Sequence, residues 1–207
     1  EPRRGSLNGM ATYAYTAGTN GLVYQQWVQP LPALSDAEMA RLPLLSGLLT
    51  EGGLGSDDYL TVQDRHSATV GSLSAATLTR SDRDDVQNCS AWFVLSSKAL
   101  ANRMDGQTQL MLDTLQTARF DEPTRVRDLV RQLRSRRDQS ITGSGHSLAM
   151  NAATAGMNPL AKRSHEQSGL EGIRQLRALD DSLSDDAALE QTLTELSALR
   201  GKMAQSE

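Results

Sequence analysis

Three histidines, one cysteine and several carboxylate clusters are the residues that could carry chemistry in this 207-residue chain. A catalytic zinc site takes two histidines on one helix face and a glutamate that activates the bound water. His66, His146 and His165 do not supply that pattern. None lies four residues from another, and His165-Glu166 is followed by no second histidine at a useful spacing. His146, between Gly145 and Ser147, reads as a packing or hydrogen-bonding histidine. The run Gly145-His-Ser-Leu-Ala149 places a serine near a glycine, but a nucleophile elbow needs a preceding strand and a sharp turn. Here helix-forming sequence precedes it. Asp82, Asp84 and Asp85 lack the glycine and terminal glutamate of a calcium loop and read as a solvated hairpin turn. Gly52-Gly-Leu-Gly55 is too short for a phosphate loop and has no lysine. Cys89 stands alone, which excludes an internal disulfide framework, and reads as a small buried strand residue. The residues therefore assign no catalytic group, no metal ligand and no substrate-binding side chain.

The densest charge is basic. From Arg119 to Arg137 seven arginines face three acids. Such a stripe can track a phosphate backbone. Yet no aromatic residue interleaves the arginines from Arg125 onward for base stacking, and the whole chain carries a net charge of −4. That balance gives no general attraction to nucleic acid or to an anionic membrane. Lysine occurs only at 98, 162 and 202, so arginine is this chain's usual cation. The stripe reads as a solvated helix face, with contact to an acidic neighbouring domain as the alternative. Arg137 shares a face with Val126, Leu133 and Ser144 and is expected to have a partner.

The element that carries the stripe organises the chain. Asp121 reads as an N-cap, and Pro123 falls in the first turn, where its missing N–H costs nothing. Val126, Leu129, Val130, Leu133 and Ile141 recur at helical spacing. Unbroken to Ala155, this helix would be about 50 Å long. After Thr142 the side chains shrink to Gly143, Ser144, Gly145, Ala149, Ala152 and Ala153. The spacing predicts a bend or a tight crossing at Thr142 to His146. The alternative is a helix that ends there and a second that starts at Ser147.

Around it, residues 1–11 are polar and irregular and read as a linker. Thr12 to Thr16 and Leu22 to Val28 read as strands joined by a Gly18-Thr-Asn-Gly21 turn. Ser35-Asp-Ala-Glu38 is a capping box opening a helix through Leu49, with Pro43 as a candidate kink. Ser56 is expected to cap a short helix through His66. Val70 to Thr79 alternates small polar with apolar residues, and Asn88 to Ser97 is its partner strand. The near-continuous Trp92 to Leu95 predicts burial on both faces. Leu100 to Ala118 is helical. Pro159 opens a short helix, Gly169 and Gly172 flank the next, and Ser184 caps a last one with a leucine stripe. All four strands are expected in one sheet. The order predicts an α+β fold, a mostly antiparallel sheet packed against helices in two layers, with a long helix and a C-terminal helical extension.

The length allows one domain or one and a half with a real core. Aromatic residues make up only 4%, so that core must rest on Leu, Val, Ala and Met. No apolar run approaches the length needed to span a bilayer. The chain begins at Glu1 and shows no signal-peptide pattern, so it is expected to be part of something larger. No compartment is indicated.

Three segments carry a family resemblance: ARFDEPTRVRDLVRQL, the small-residue GSGHSLAM, and AATAGMNPLAKRSHEQSGLEGIRQLRAL, with Gly18-Thr-Asn-Gly-Leu-Val-Tyr24 fitting the domain start. Their order and spacing resemble the presequence-protease branch of the pitrilysin/insulinase zinc metallopeptidases, in a domain of the non-catalytic C-terminal half. The resemblance implies a metallopeptidase-like α+β domain over residues 12–181, with 1–11 as linker and 182–207 as C-terminal helix or linker. It implies four such domains forming two halves of a hinged chamber, with zinc held elsewhere in the parent protein by an inverted H-x-x-E-H motif. No cofactor is implied for this fragment. The arginine and tyrosine that assist the family's chemistry come from its last domain, which no segment here matches, so no catalytic residue carries over. The implied function is that of a fragment of a zinc metalloendopeptidase that degrades peptides, enclosing or positioning substrate. Its partners would be the other domains of the same polypeptide and peptide substrates, with no nucleic acid and no membrane. The alternative is a catalytically inactive scaffold of the same fold in a larger assembly.

Overall fold

The structure, a computed structural model, describes residues 1–7 and 9–205. The chain runs β1 (Arg3–Leu7), β2 (Met10–Ala14), β3 (Leu22–Pro30), α1 (Asp36–Leu48), α2 (Tyr59–Thr69), β4 (Ser72–Ser81) and β5 (Cys89–Leu100). A single 3₁₀ turn at Ala101–Arg103 leads into α3 (Met104–Thr117). Then come α4 (Pro123–Gly143), α5 (Gly145–Thr154), α6 (Pro159–Ser168), α7 (Leu170–Ser182) and α8 (Asp186–Gln205). Antiparallel strands pack against helices, the α+β arrangement that the order of elements predicts.

The main sheet has three strands in the order β3-β5-β4, all antiparallel. β4 and β5 form a hairpin through Asp82 to Asn88. In that loop Asp82 Oδ1 accepts from the Asp84 and Asp85 amides, and Asp85 from the Gln87 amide and Asn88. These carboxylates build the turn. In β5 Phe93, Leu95, Ser97 and Ala99 are buried against the helices, whereas Trp92 and Val94 alternate onto the other face and are only half-buried. Burial on both faces therefore fails on one side, where no element among the described residues covers the strand.

The first strand departs from expectation. It lies at Met10–Ala14 and pairs with β1 in a separate two-stranded sheet, and so does not join the main one. β1 occupies the stretch that reads as irregular lead-in. β2 is exposed along its whole length. A polar hairpin of this kind offers no apolar alternation, and its one sequence signal is the Asn-Gly pair at 8–9.

Helix α1 is the centre of the core. Its Leu42, Leu45, Leu48 and Leu49 join Phe93 and Leu95 of β5, Leu110 of α3, Val130 of α4 and Leu196 of α8 in one cluster. The capping box forms: Ser35 accepts from the Glu38 amide, and the Glu38 carboxylate accepts from the Ser35 amide. Pro43 does not stop the helix. A proline inside a helix removes the N–H that would bond the carbonyl four residues back. Here that carbonyl belongs to Met39, and Gln167 Nε2 of α6 donates to it at 3.0 Å.

The long helix is broken. α4 ends at Gly143, Ser144 leaves helical geometry at φ −136 and ψ 31, and α5 starts at Gly145. α4 alone is about 32 Å long. A Cβ built at Gly143 or Gly145 would meet nothing within 4 Å, so the small residues mark an exposed break and not a tight crossing. Several caps also shift by a residue or two. Glu122, not Asp121, occupies the N-cap of α4, and Asp121 pairs with Arg119 instead. Asp58, not Ser56, caps α2, and Asp185 rather than Ser184 accepts from the Ala188 amide at the start of α8. Gly172 lies inside α7, where a Cβ would sit 2.5 Å from the Gln167 carbonyl, so only glycine lets α7 approach the end of α6 this closely.

Candidate functional site

The arginines of α4 are structural ties, which overturns the solvated-face reading. Arg134 reaches Asp180 at 2.8 Å and Asp181 at 2.6 Å at the end of α7. Those two carboxylates hold its guanidinium above its usual pKa. Arg127 donates to the Leu183 carbonyl and to Asp186, and Arg177 of α7 returns to Asp138 of α4 at 2.8 Å. Arg125 bonds Glu51 and stacks over the Tyr59 ring at 4.5 Å. The partners lie far along the chain, which is why spacing alone does not reveal them.

These ties hold α7 and α8 beside α4 and leave a groove of about 510 Å³ bounded by α1, α4, α6, α7 and α8. Leu44, Leu133, Leu176, Leu179 and Leu199 supply its apolar lining. Its charged lining is Glu38, Arg41, Arg137, Glu166 and Glu195. Each of the three carboxylates has a cation. Glu195 pairs with Arg41 at 2.9 Å, Glu166 with Lys162 at 3.7 Å, and Glu38 with Lys202. The hydrogen bond from Lys202, with those from Ser35, lowers the Glu38 pKa to about 2. Arg137 is left over. It is half-buried, and among the described residues its guanidinium has no ion pair or hydrogen-bond partner. The expectation of a partner for Arg137 is therefore not met within this chain, although its placement on the Leu133 face holds.

The second candidate surface is the outer face of the main sheet. The strand register stacks residues into rows across it. Pro30, Trp92 and Leu78 form one row, Val28, Val94 and Ala76 the next. Gln26, Ser96 and Ser74 follow, then Tyr24, Lys98 and Ser72. Tyr24 is 62% exposed, Val28 55% and Leu78 41%. Half the face is thus apolar and half polar, and no helix among the described residues lies over it.

The histidines are dispersed on α2, α5 and α6, and among the described residues no three His, Cys, Asp or Glu side chains are grouped to hold a metal ion. These residues do not fit a zinc site. Burial lowers the pKa of His66. His146 is exposed, with Nε2 3.1 Å from the Ser147 hydroxyl, and the neighbouring serine has a helix before it and no strand. Cys89 begins β5, partly exposed, 3.7 Å from the Ser81 hydroxyl. No helix among the described residues is long and apolar enough to cross a membrane.

The family model described as peptidase M16 (subfamily C) associated matches residues 2–179. The chain belongs to that family. This peptidase-associated chain is 26% identical over 175 residues to the mitochondrial presequence protease of Danio rerio, covering 84% of this chain and 17% of that protein. It is 26% identical over 182 residues to presequence protease 1, chloroplastic/mitochondrial, of Arabidopsis thaliana, covering 88% and 17%. Against the mitochondrial presequence protease of Aspergillus fumigatus it is 27% identical over 183 residues, covering 87% and 17%. The chain thus spans 17% of the length of each of these three relatives. The resemblance to the presequence-protease branch holds. The family match begins at residue 2, so it takes in the β1–β2 hairpin, and it ends within α7.

Proposed function

We propose that this chain is a non-catalytic domain of a zinc metalloendopeptidase, and that it encloses or positions peptide substrates while other domains of the same polypeptide hold the metal. Family membership and the presequence-protease relatives support the peptidase part. The observation that carries the positioning role is the uncovered outer face of the sheet. Its rows of Val28, Val94, Trp92 and Leu78 beside rows of Gln26 and Ser74 match an extended peptide of mixed side chains, which needs both apolar contact and hydrogen-bonding groups. In this reading residues 12–181 are the metallopeptidase-like unit, 1–11 lead into it, and 182–207 extend it. Peptides and neighbouring domains are its partners, with no nucleic acid or membrane.

The test uses the complete polypeptide. Val28→Asp and Leu78→Asp place charge on exposed positions of the face. Each should raise KM for an unfolded peptide by roughly tenfold with little change in kcat, the signature of lost uniform binding. An unchanged KM in both variants refutes substrate positioning by this face. A complete sequence without H-x-x-E-H would favour the scaffold alternative.

A further inference from the structure

The groove between the helices is unrelated to the sheet face, and its composition points to a ligand. We propose that it is a binding site for a small amphipathic carboxylate, an apolar chain ending in a carboxylate, with Arg137 as the anchor. Its volume of about 510 Å³ lies within the range of small-molecule sites, typically about 300–1,000 Å³. Leucines from α1, α4, α7 and α8 offer one end of such a molecule an apolar lining.

Charge accounting selects the other end. Every carboxylate of the lining already has a cation, through Arg41, Lys162 and Lys202. Among the described residues of the lining, the charge that remains unpaired is the Arg137 guanidinium. An arginine that is half-buried beside leucines loses hydration without recovering hydrogen bonds. A carboxylate supplies them in a bidentate, charge-assisted geometry. A cationic or neutral amphiphile would leave the arginine as it is. Glu38, Glu166 and Glu195, at the same groove, would repel a second negative charge, so the geometry selects a monocarboxylate over a dicarboxylate or a phosphate.

The chain itself supplies the assay. Dodecanoate, dodecanol and dodecyltrimethylammonium, all below their aggregation concentrations, are titrated while the Arg137 Nε–H resonance is followed by NMR. Dodecanoate should bind saturably and move that resonance. Arg137→Gln should weaken it by roughly ten- to a hundredfold, the value of a charged hydrogen bond, and Arg137→Lys should restore part of the loss. Leu176→Gln should weaken dodecanoate and dodecanol alike. Because the Arg137 guanidinium has no partner to lose among the described residues, Arg137→Gln is expected to fold, and its thermal midpoint verifies that. Equal affinity for dodecanoate and dodecanol, binding unaffected by Arg137→Gln, or no saturation overturns the proposal. So does an amphipathic helical peptide with an internal glutamate that occupies the groove when dodecanoate does not, which would make it a protein-docking surface. None of these outcomes touches KM at the sheet face.

Discussion

Removing Gln167 should destabilise the protein only as long as Pro43 is present. The carbonyl of Met39 has lost its helical donor to the proline ring, and the Gln167 amide at 3.0 Å replaces it. Gln167→Ala leaves that acceptor without a protein partner, at a cost of about 1 kcal/mol for a partly buried group. For a chain of this size that is a fall in Tm of about 2–4 °C. In a Pro43→Ala background the new alanine N–H can donate to Met39, and Gln167→Ala should then cost less than about 0.5 kcal/mol. The double-mutant cycle isolates a coupling of about 0.5–1 kcal/mol, whatever Pro43→Ala does alone. Four urea unfolding curves, read by circular dichroism, give all the terms. Equal losses in both backgrounds would show that Gln167 acts by packing and not by satisfying the carbonyl, and the account of how α1 tolerates its proline would be wrong.

Two other substitutions report on local features. Gly145→Ala meets open space at the start of α5, so it should be neutral or stabilise by up to about 1 kcal/mol; a clear loss in the urea midpoint would restore the tight crossing that the structure replaces with an exposed break. Glu38 has its pKa lowered from 4.5 to about 2 by Lys202 and Ser35, so its contribution is fully present above pH 4.5 and lost as pH falls toward 2. Glu38→Gln should therefore melt below wild type at pH 7, with the gap closing between pH 4.5 and 2; a gap independent of pH refutes the ionic origin.

Local signals proved readable, and distant ones did not. The Ser35–Glu38 capping box, the alternation from Ser72 to Thr79 and the Asp82–Asp85 turn are each decided within a few residues, and each forms. Cap positions slip where two candidates compete, as between Ser56 and Asp58, because both types can accept from an amide. The role of the arginines was not legible, since Arg134 and Arg127 find Asp180, Asp181 and Asp186 only after α7 and α8 fold back on α4. The groove is less legible still. It belongs to no segment, and five helices create it together. Arg137 shows both sides of this. Helical spacing assigns it correctly to the Leu133 face, yet spacing cannot tell whether the space beyond holds a carboxylate or nothing.

Helix α1 explains why the two candidate surfaces can be tested separately. Its Leu45 and Leu49 turn toward Phe93 and Trp27 of the sheet, while Ala37, Ala40 and Leu44 line the groove. With both sides covered it has no wide polar stripe, and this is why the expected single apolar face of Met39, Leu42, Leu45, Leu48 and Leu49 understates its burial. Leu44 and Ser46 are buried too. The helix is then a wall shared by two layers. The groove's charged lining comes from the helices, whereas the exposed rows come from the sheet's far face, with α1 and the inner layer of β-strand side chains between them. Charge placed at Val28 or Leu78 is therefore not expected to alter dodecanoate binding, nor Arg137→Gln to alter KM for a peptide. If either did, the effect would have to pass through α1, and Leu45 would be the place to look for it.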